Sequence, residues 1–295
     1  MLAYVTGGAG FVGTWLVQHL SEEGDDVVAA DLEVDVTEAD SIERSLVGTA
    51  PEVVYHLAGF AHVGESWRQP AAAFTVNALG TLNVLQAASR CRRPPRVVVV
   101  SSSEVYGHGT GEPMDELSEL RPVTPYAASK VAAEFLGLQA FLGDGLPVVR
   151  VRPFNHVGPG QSDTFVVSAL ARRVVEAERG GGTVAVGNLT PVRDFTDVRD
   201  VVRAYRLVAL QGEPGEVYNV ATGRGVTVQE IAERFVAMAS APVRLEQDPA
   251  LMRPVDVPVI VGDPAKLRLA TGWSPERDLA TTLGDVIEYW RSRLA

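Results

Sequence analysis

The stretch that decides the fold is Leu2-Ala-Tyr-Val-Thr-Gly-Gly-Ala-Gly-Phe-Val-Gly13. Its apolar beginning, Leu2–Thr6, predicts a short buried strand, and the run Thr14–Leu20 has the apolar spacing of an amphipathic helix. Between them, Gly7 permits a tight turn, Gly10 lets the backbone approach a pyrophosphate, and Gly13 lets the helix lie close to the sheet. The helix N-terminus would offer free N–H groups to phosphates. This order indicates a dinucleotide site; the plainer alternative is a tight turn that merely uses glycines.

Asp31 ends the second predicted strand, Val27–Ala30. A carboxylate at this place can accept hydrogen bonds from both ribose hydroxyls of NAD, and it would repel the 2′-phosphate of NADP. We therefore predict NAD, with NADP possible, although an ordinary loop aspartate is the plain alternative. Asp35 follows at once and is a candidate partner for the adenine amino group. Thr37 with Asp40 three residues later resembles a capping box at a helix start.

Three more apolar runs continue the pattern, namely Val53–Leu57, Val97–Ser101 and Pro147–Arg152. We number Val53–Leu57 as the fourth strand, after a very short link between the second and third. Five strand–helix units in succession predict an α/β fold with a doubly wound parallel sheet. After Pro153 the pattern changes to mixed helices and strands, which predicts a smaller C-terminal α+β part.

The predicted domains follow from that change of pattern. We assign residues 1–153, together with about 190–221, to a dinucleotide-binding domain, and residues 154–189 and 222–295 to a substrate-binding part. The segment Gly107–Arg121 is polar and rich in turn residues, so we expect a mobile loop over the site.

A tyrosine and a lysine lie four residues apart in Thr124-Pro-Tyr-Ala-Ala-Ser-Lys130. Thr124 can cap a helix and Pro125 suits its first turn, so Tyr126 and Lys130 would share one helix face. An ammonium near a phenol favours the phenolate, which predicts a lowered pKa for Tyr126. Chance spacing on a surface helix is the plain alternative. Against it, the chain has 26 Lys and Arg residues, of which only Lys130 and Lys266 are lysines.

A serine cluster, Ser101-Ser-Ser-Glu104, follows the strand Val97–Ser101. Ligands of doubly wound sheets bind beyond the carboxyl ends of the strands, where hydroxyl groups can meet a substrate oxygen. A helix cap or a turn would use the same residues. Small residues in His56-Leu-Ala-Gly59 would likewise let the backbone pass close to a cofactor.

Composition narrows the classes of function. The net charge of −11 argues against nucleic acid as a partner, and the longest apolar runs are too short to cross a membrane. One cysteine, Cys91, and no signal-peptide pattern favour a cytoplasmic protein. His56 and His62 lack further ligands at metal-binding spacing, so we expect no metal; His62 is a candidate substrate contact.

Four motifs together resemble a known family. They are Thr6-Gly-Gly-Ala-Gly-Phe-Val-Gly13, Ser101-Ser-Ser-Glu-Val-Tyr-Gly107, Tyr126-Ala-Ala-Ser-Lys130 and Arg152-Pro-Phe-Asn155. The chain is similar to the extended short-chain dehydrogenases/reductases that act on nucleotide sugars, whose fold is the Rossmann type. Within them it most resembles the GDP-6-deoxy-D-mannose (GDP-4-dehydro-6-deoxy-D-mannose) reductases, in the stretches Arg152–Gln161, Val186–Leu189, Arg193–Arg203 and Arg253–Pro258.

The resemblance implies catalytic roles. Counting back from Val105-Tyr-Gly107, the family's catalytic serine falls on Ser102. Tyr126 would be the general acid, and Lys130 would lower its pKa and hold the nicotinamide ribose. Glu104 falls on the position of a base in the related 4,6-dehydratases and is expected here to hydrogen-bond the sugar.

The resemblance also implies binding residues. For the cofactor we expect contacts from Gly7, Gly10, Phe11, Val12, Gly13, Asp31, Asp35, Val36, Leu57, Ala58, Gly59, Asn77, Tyr126, Lys130 and Pro153. For a nucleotide-diphosphate sugar, with a GDP-sugar favoured, we expect Ser103, Glu104, Asn155, Gln161, Arg193 and Arg253. Two arginines suit a diphosphate through charge-assisted bonds on an otherwise acidic protein. The helices Pro70–Ala88 and Pro125–Phe141 would form the family's four-helix dimer contact.

The expected reaction is hydride transfer from NAD(P)H to C4 of a 4-keto nucleotide sugar. A 4,6-dehydratase or a 4-epimerase with tightly bound NAD stays open, because these relatives use the same Tyr and Lys. The short link after Asp31 resembles that of the reductases. A non-catalytic NAD-binding sensor is the remote alternative, since such proteins usually lose Ser102, Tyr126 or Lys130.

Overall fold

The computed structural model of the chain describes residues 1–109, 111–180, 182–251 and 257–295. Its strands are β1 (Leu2–Thr6), β2 (Asp26–Ala30), β3 (Val53–His56), β4 (Arg96–Val100), β5 (Val148–Pro153), β6 (Asn155–Val157), β7 (Gly182–Val186), β8 (Val192–Asp197), β9 (Val217–Val220), β10 (Gly225–Thr227), β11 (Val243–Gln247) and β12 (Val259–Ile260). Its helices are α1 (Phe11–Glu22), α2 (Ala39–Thr49), α3 (Val63–Ser66), α4 (Pro70–Phe74), α5 (Gly80–Ser89), α6 (Pro125–Asp144), α7 (Val166–Gly180), α8 (Val198–Gln211), α9 (Val228–Ala237), α10 (Ala265–Thr271) and α11 (Leu279–Leu294).

The main sheet has six parallel strands in the order β2-β1-β3-β4-β5-β9. Alternating residues of its valine-rich strands face opposite sides, so Val98 lies in the core with α1 and α8, whereas Val99 lies in the core with α2, α5 and α6. Burial on both faces explains the continuous apolar runs of the sequence. The structure confirms the predicted doubly wound α/β fold.

The smaller lobe is built on short strands after β5. β8 pairs with β6, β10 and β12, while β7 pairs with β11. The helices α7, α9 and α11 cover them around a separate apolar core. β9 joins the main sheet and α8 packs on it, whereas β8 belongs to the small sheet. The division into residues 1–153 with about 190–221, and 154–189 with 222–295, stays a proposal.

Two local predictions after β2 were wrong. Val53–His56 is the third strand along the chain, not the fourth, because the segment after Asp31 forms turns and then helix α2 instead of another strand. Thr37 is not a helix cap: its N–H and hydroxyl both donate to Asp35 Oδ1 at 2.8 Å, and α2 begins after Glu38.

The segment Gly107–Arg121, for which we expected a mobile loop, makes hydrogen bonds to distant residues in its described middle part. Met114 is buried, its N–H donates to Val261 O at 2.9 Å, and its carbonyl accepts from the N–H of Asp263 at 2.8 Å. Glu116 accepts from the N–H of Asn219 at 2.7 Å. Backbone bonds to Val261 and Asp263 and a side-chain bond to β9 of the main sheet thus hold this segment.

A buried ion pair joins α6 to β5. Arg152 donates to both carboxylate oxygens of Glu134, at 2.6 and 3.0 Å, and Glu134 is fully buried. Arg150, also buried, lies 3.6 Å from the same carboxylate. Arg152 further donates to the hydroxyl of Tyr106 at 2.9 Å. One carboxylate thus compensates two buried guanidinium groups.

We expect Glu134→Gln to lower the free energy of unfolding by about 3 kcal/mol, because removal of one partner leaves buried charge uncompensated. Guanidinium denaturation followed by circular dichroism measures it. The matched control is Glu119→Gln, which makes the same chemical change in the exposed pair with Arg121 and should leave the unfolding midpoint unchanged. Equal midpoints for the two variants would contradict this role of Glu134.

Candidate functional site

One cavity of about 1060 Å³ lies beyond the carboxyl ends of the main strands, between the sheet and the smaller lobe. Most candidate residues from the sequence line it: Gly7, Gly10, Phe11, Val12, Gly13, Asp31, Asp35, Val36, Leu57, Ala58, Gly59, Ser102, Ser103, Glu104, Tyr126, Lys130, Pro153, Asn155, Gln161 and Arg193. Asn77 is absent from the lining, and Arg253 lies outside the described residues.

The glycine turn at the start of α1 has no room for side chains. Gly7 has φ of +69°, and a Cβ added to it would come within 2.9 Å of the backbone nitrogen of Ala58. A Cβ on Gly13 would lie 2.1 Å from the carbonyl oxygen of Gly7. α1 then begins without a side-chain cap, so its first N–H groups lie open toward the cavity. This cradle fits the pyrophosphate of a dinucleotide.

Asp31 adjoins the same turn from the end of β2. Its Oδ2 accepts from the N–H of Ala9 at 2.7 Å, and its Oδ1 accepts from the N–H of Leu32 at 2.9 Å. Each carboxylate oxygen retains further acceptor capacity on the cavity side. The geometry fits an adenosine ribose whose two hydroxyls are free.

The Asp35–Thr37 segment is fixed by a residue that sequence reasoning missed. The side-chain amide of Asn83 donates to the carbonyls of Val36 and Thr37 at 2.9 and 3.0 Å. Asn83 lies on α5, far along the chain, so no local signal points to this contact. It holds the backbone turn that presents Asp35 and Val36 to the cavity.

A buried polar chain under the cavity starts at His56. Thr81 donates its hydroxyl to the carbonyl of Asn77 at 2.5 Å and so accepts from His56 Nε2–H at 3.0 Å. His56 Nδ1 then accepts from the hydroxyl of Thr6 at 2.8 Å, and that oxygen accepts from the N–H of Ala58 at 3.1 Å. Burial, with a smaller contribution from Lys130, lowers the pKa of His56 to about 3. His56 is thus a neutral structural residue that fixes the wall at Ala58.

Asn77 makes hydrogen bonds within the protein beside the cavity wall, and its contact with the cofactor stays a prediction. It lies in a π turn, Thr75–Leu79, between α4 and α5, and it is buried. Its Oδ1 accepts from the N–H of Phe60 at 2.8 Å, and its amide donates to Ser129 Oγ at 2.8 Å. Ser129 in turn donates to the carbonyl of Tyr126 at 2.7 Å. Asn77 therefore links the loop after β3 to the first turn of α6 from behind the cavity wall.

The start of α6 is capped twice. Thr124 Oγ1 accepts from the N–H of Ala127 at 3.0 Å, as its sequence position predicted. Ser66 Oγ, on α3, accepts from the N–H of Tyr126 at 3.2 Å, a contact between distant segments that the sequence did not reveal. Both caps satisfy N–H groups that have no partner within the helix, and together they fix the position of Tyr126 at the start of α6.

Tyr126 and Lys130 both reach the cavity from α6, but their electrostatics differ from the prediction. Burial raises the pKa of Tyr126 to about 12, although the hydrogen bond with Ser102 acts to lower it. Burial also lowers the pKa of Lys130 to about 8. The expected lowering of the tyrosine pKa by Lys130 was wrong for the ligand-free protein, because desolvation dominates and the lysine ammonium donates to Val100 O at 2.9 Å.

The serine cluster forms one turn of 3-10 helix, Ser103–Tyr106, directly after β4. Ser102 Oγ accepts from the N–H of Glu104 at 3.2 Å, so this residue both caps the turn and faces Tyr126. The negative charge of Glu104 raises the pKa of Tyr126 further. Ser102, Glu104 and Tyr126 thus lie within interaction distance at one point of the cavity.

The smaller lobe supplies the opposite wall. Gln161 donates to the carbonyl of His156 at 2.9 Å, and the largely buried Arg193 donates to the carbonyl of Val192 at 2.9 Å. Arg173, on α7, lines the same wall and donates to Ala185 O at 2.9 Å. Sequence reasoning missed Arg173, because an arginine on the polar side of an amphipathic helix carries no motif.

Among the described residues, no group of three or more His, Cys, Asp or Glu side chains could hold a metal ion. No described helix has both the length and the hydrophobicity needed to cross a lipid bilayer.

Comparison with known proteins gives full-length matches. A family model described as GDP-mannose 4,6 dehydratase matches residues 30–286. GDP-6-deoxy-D-mannose reductase of Pseudomonas aeruginosa is 37% identical, over 99% of this chain and 97% of that protein. The structure of RMD from Pseudomonas aeruginosa complexed with NADPH superimposes with a TM-score of 0.90 at 37% identity, covering 99% of both chains.

A solved epimerase matches the fold as well. The complex of Thermus thermophilus UDP-glucose 4-epimerase with NAD gives a TM-score of 0.89 at 31% identity, and 99% of both chains are covered. The chain therefore belongs to the GDP-mannose 4,6-dehydratase family of the extended short-chain dehydrogenases/reductases, and it is an NAD(P)-dependent enzyme.

Proposed function

We propose that this enzyme reduces the 4-keto group of GDP-4-dehydro-6-deoxy-D-mannose or a similar nucleotide sugar. The observation that carries the proposal is the likeness, over nearly the whole of both chains, to a GDP-6-deoxy-D-mannose reductase. The side chains around the cavity support it. Ser102, Tyr126 and Lys130 line the cavity on the sheet side, while Asn155 and Arg193 line it on the side of the smaller lobe.

The chain's own residues would act on the 4-keto oxygen. Bound NAD(P)H supplies the hydride for C4. Tyr126 donates its phenolic proton to the oxygen as negative charge develops there, and Ser102 donates a hydrogen bond to the same oxygen. Lys130 keeps a positive charge beside the phenol and stabilises the phenolate that remains. Arg193 would bind the diphosphate.

Tyr126 can serve hydride transfer in either direction, because its phenol gives a proton when C4 is reduced and its phenolate takes one when C4 is oxidised. Epimerases and dehydratases of this family begin by oxidising C4, and that step needs a base at the same place. Glu104 on the cavity wall is the feature that favours a dehydratase as the second candidate.

The assay that separates these reactions is cofactor stoichiometry. With GDP-4-dehydro-6-deoxy-D-mannose, we expect one NADH consumed per sugar reduced, whereas an epimerase or dehydratase shows no net consumption.

Tyr126→Phe should lower turnover by about 10²- to 10⁴-fold because it removes the general acid, while NADH binding is kept. Sugar conversion without loss of NADH absorbance would overturn the reductase proposal, and full turnover in Tyr126→Phe would overturn the role of Tyr126.

We also propose that NADH is preferred over NADPH, on account of the Asp31 carboxylate beside the glycine turn. Asp31→Asn removes the charge and keeps an oxygen that can accept from Ala9. We expect the ratio of kcat/KM for NADPH to that for NADH to rise about tenfold, or ~1.4 kcal/mol, as repulsion of the 2′-phosphate is lost. Asp26→Asn, on the exposed beginning of the same strand, is the control. An unchanged ratio in Asp31→Asn would exclude Asp31 as the selective group.

A homodimer through α4, α5 and α6 is the proposed assembly. These helices and the π turn between α4 and α5 expose a set of apolar side chains that a second copy would cover, namely Phe74, Leu79, Phe135 and Leu142. Light scattering should give twice the chain mass of 31.5 kDa, and Phe135→Arg should shift it toward the monomer. Leu269→Arg, at an exposed apolar residue on α10, should leave the dimer intact. A monomeric wild type would refute the proposal.

We also propose a cytoplasmic location. The sequence has one cysteine and therefore forms no internal disulfide, which fits a reducing compartment. Cell fractionation with an antibody against the chain checks it, and recovery in a secreted fraction would exclude it.

A further inference from the structure

Tyr205, in the middle of α8, has a fully buried side chain whose hydroxyl lacks a hydrogen-bond partner within the described parts of the chain. The residue also lines the large cavity. A buried hydroxyl that makes no hydrogen bond lowers stability, and phenylalanine would fill nearly the same volume without that cost. Because Tyr205 lines the cavity, a polar group of a ligand bound there would supply the missing partner of its hydroxyl.

The wall around Tyr205 is otherwise apolar. Val12, Leu57 and Val100 pack on the same core cluster as Tyr205 and also line the cavity. This wall is on the α1 and α8 side of the sheet, whereas Tyr126 enters from α6 on the other side. A negative charge on Tyr126 would raise the pKa of Tyr205, so the two phenols lie within electrostatic range. A ligand here meets an apolar surface with one hydroxyl in it.

The parts of NAD(P)H can be matched to this cavity by chemistry. The adenosine ribose fits the carboxylate of Asp31, and the pyrophosphate fits the glycine turn. The part that remains must come close to Tyr126 and Lys130, and it is the nicotinamide. Its ring has apolar faces, and its carboxamide offers one acceptor and two donors, either of which a tyrosine hydroxyl can pair with.

We propose that the Tyr205 hydroxyl binds the carboxamide of the nicotinamide from the α8 side of the sheet and so fixes the rotation of the ring. Tyr205 is then a positioning residue for hydride transfer. The proposal depends on the cofactor class and on the proposed place of the nicotinamide near Tyr126, but not on which sugar is reduced.

The test compares two ligands that differ only in the nicotinamide part. Isothermal titration of Tyr205→Phe should show a dissociation constant for NADH about tenfold higher than that of the wild type, as one hydrogen bond to a buried group is lost. The constant for ADP-ribose, which lacks the nicotinamide, should stay within about twofold. The ligand-free melting temperature should be unchanged or higher, because the variant removes an unsatisfied hydroxyl.

Tyr55→Phe is the matched control. Tyr55 is also fully buried in the same core cluster, and its hydroxyl has no hydrogen-bond partner among the described residues, but it does not line the cavity. Its variant should match Tyr205→Phe in ligand-free stability and leave the affinity for NADH unchanged.

Three results would overturn the proposal: an unchanged affinity for NADH in Tyr205→Phe, an equal loss for NADH and ADP-ribose, or an equal loss in Tyr55→Phe. The titrations need no sugar. A failure of the reductase assay with normal NADH titrations would thus count against the proposed function alone.

Discussion

The site depends on the buried ammonium of Lys130. This group is only 8% exposed, it donates to the carbonyl of Val100, and among the described residues it has no carboxylate partner. Burial of a cation without a counter-ion disfavours the charged form, which is why its pKa falls to about 8. The rest of the protein must therefore hold α6 against the end of β4 through other contacts.

Those contacts surround Lys130 on α6. One turn further along the helix, Glu134 forms the bidentate bond with Arg152 of β5. At the helix start, Ser66 accepts from the N–H of Tyr126, and Ser129 donates to its carbonyl while accepting from Asn77. The helix is thus fixed at both ends of the turn that carries Tyr126 and Lys130, so its rotation and its height above the sheet are set. The energy gained in these contacts offsets the unfavourable burial of the uncompensated Lys130 ammonium at the cavity wall.

The features that were predicted correctly from the sequence depend only on residues that are neighbours along the chain. The glycine turn follows from steric needs at Gly7 and Gly13, and the spacing of Tyr126 and Lys130 follows from helix geometry, so both were found without coordinates. The pKa of Tyr126 could not be read in this way, since it depends on burial under segments far apart in the chain. The same holds for Asn83 and Ser66, whose partners are fixed only when distant helices meet. The prediction of a further strand and of a helix cap at Thr37 was wrong for the segment after β2. Asp35 and Thr37 form a side-chain turn there, and the same residue types also occur at capped helix starts.

Carboxylates line one wall of the cavity, and guanidinium groups line another. Around the end of β2, the carboxylates of Asp31 and Asp35 favour hydroxyl and amino groups and disfavour added phosphate. On the smaller lobe, Arg173 and Arg193 favour a diphosphate, although the chain as a whole carries a net charge of −11. Under the proposed function, the adenosine of the cofactor and the diphosphate of the sugar nucleotide would therefore occupy different walls. The two reacting ends are then left to meet at Tyr126, where the cavity wall combines a proton donor with an apolar surface for the nicotinamide.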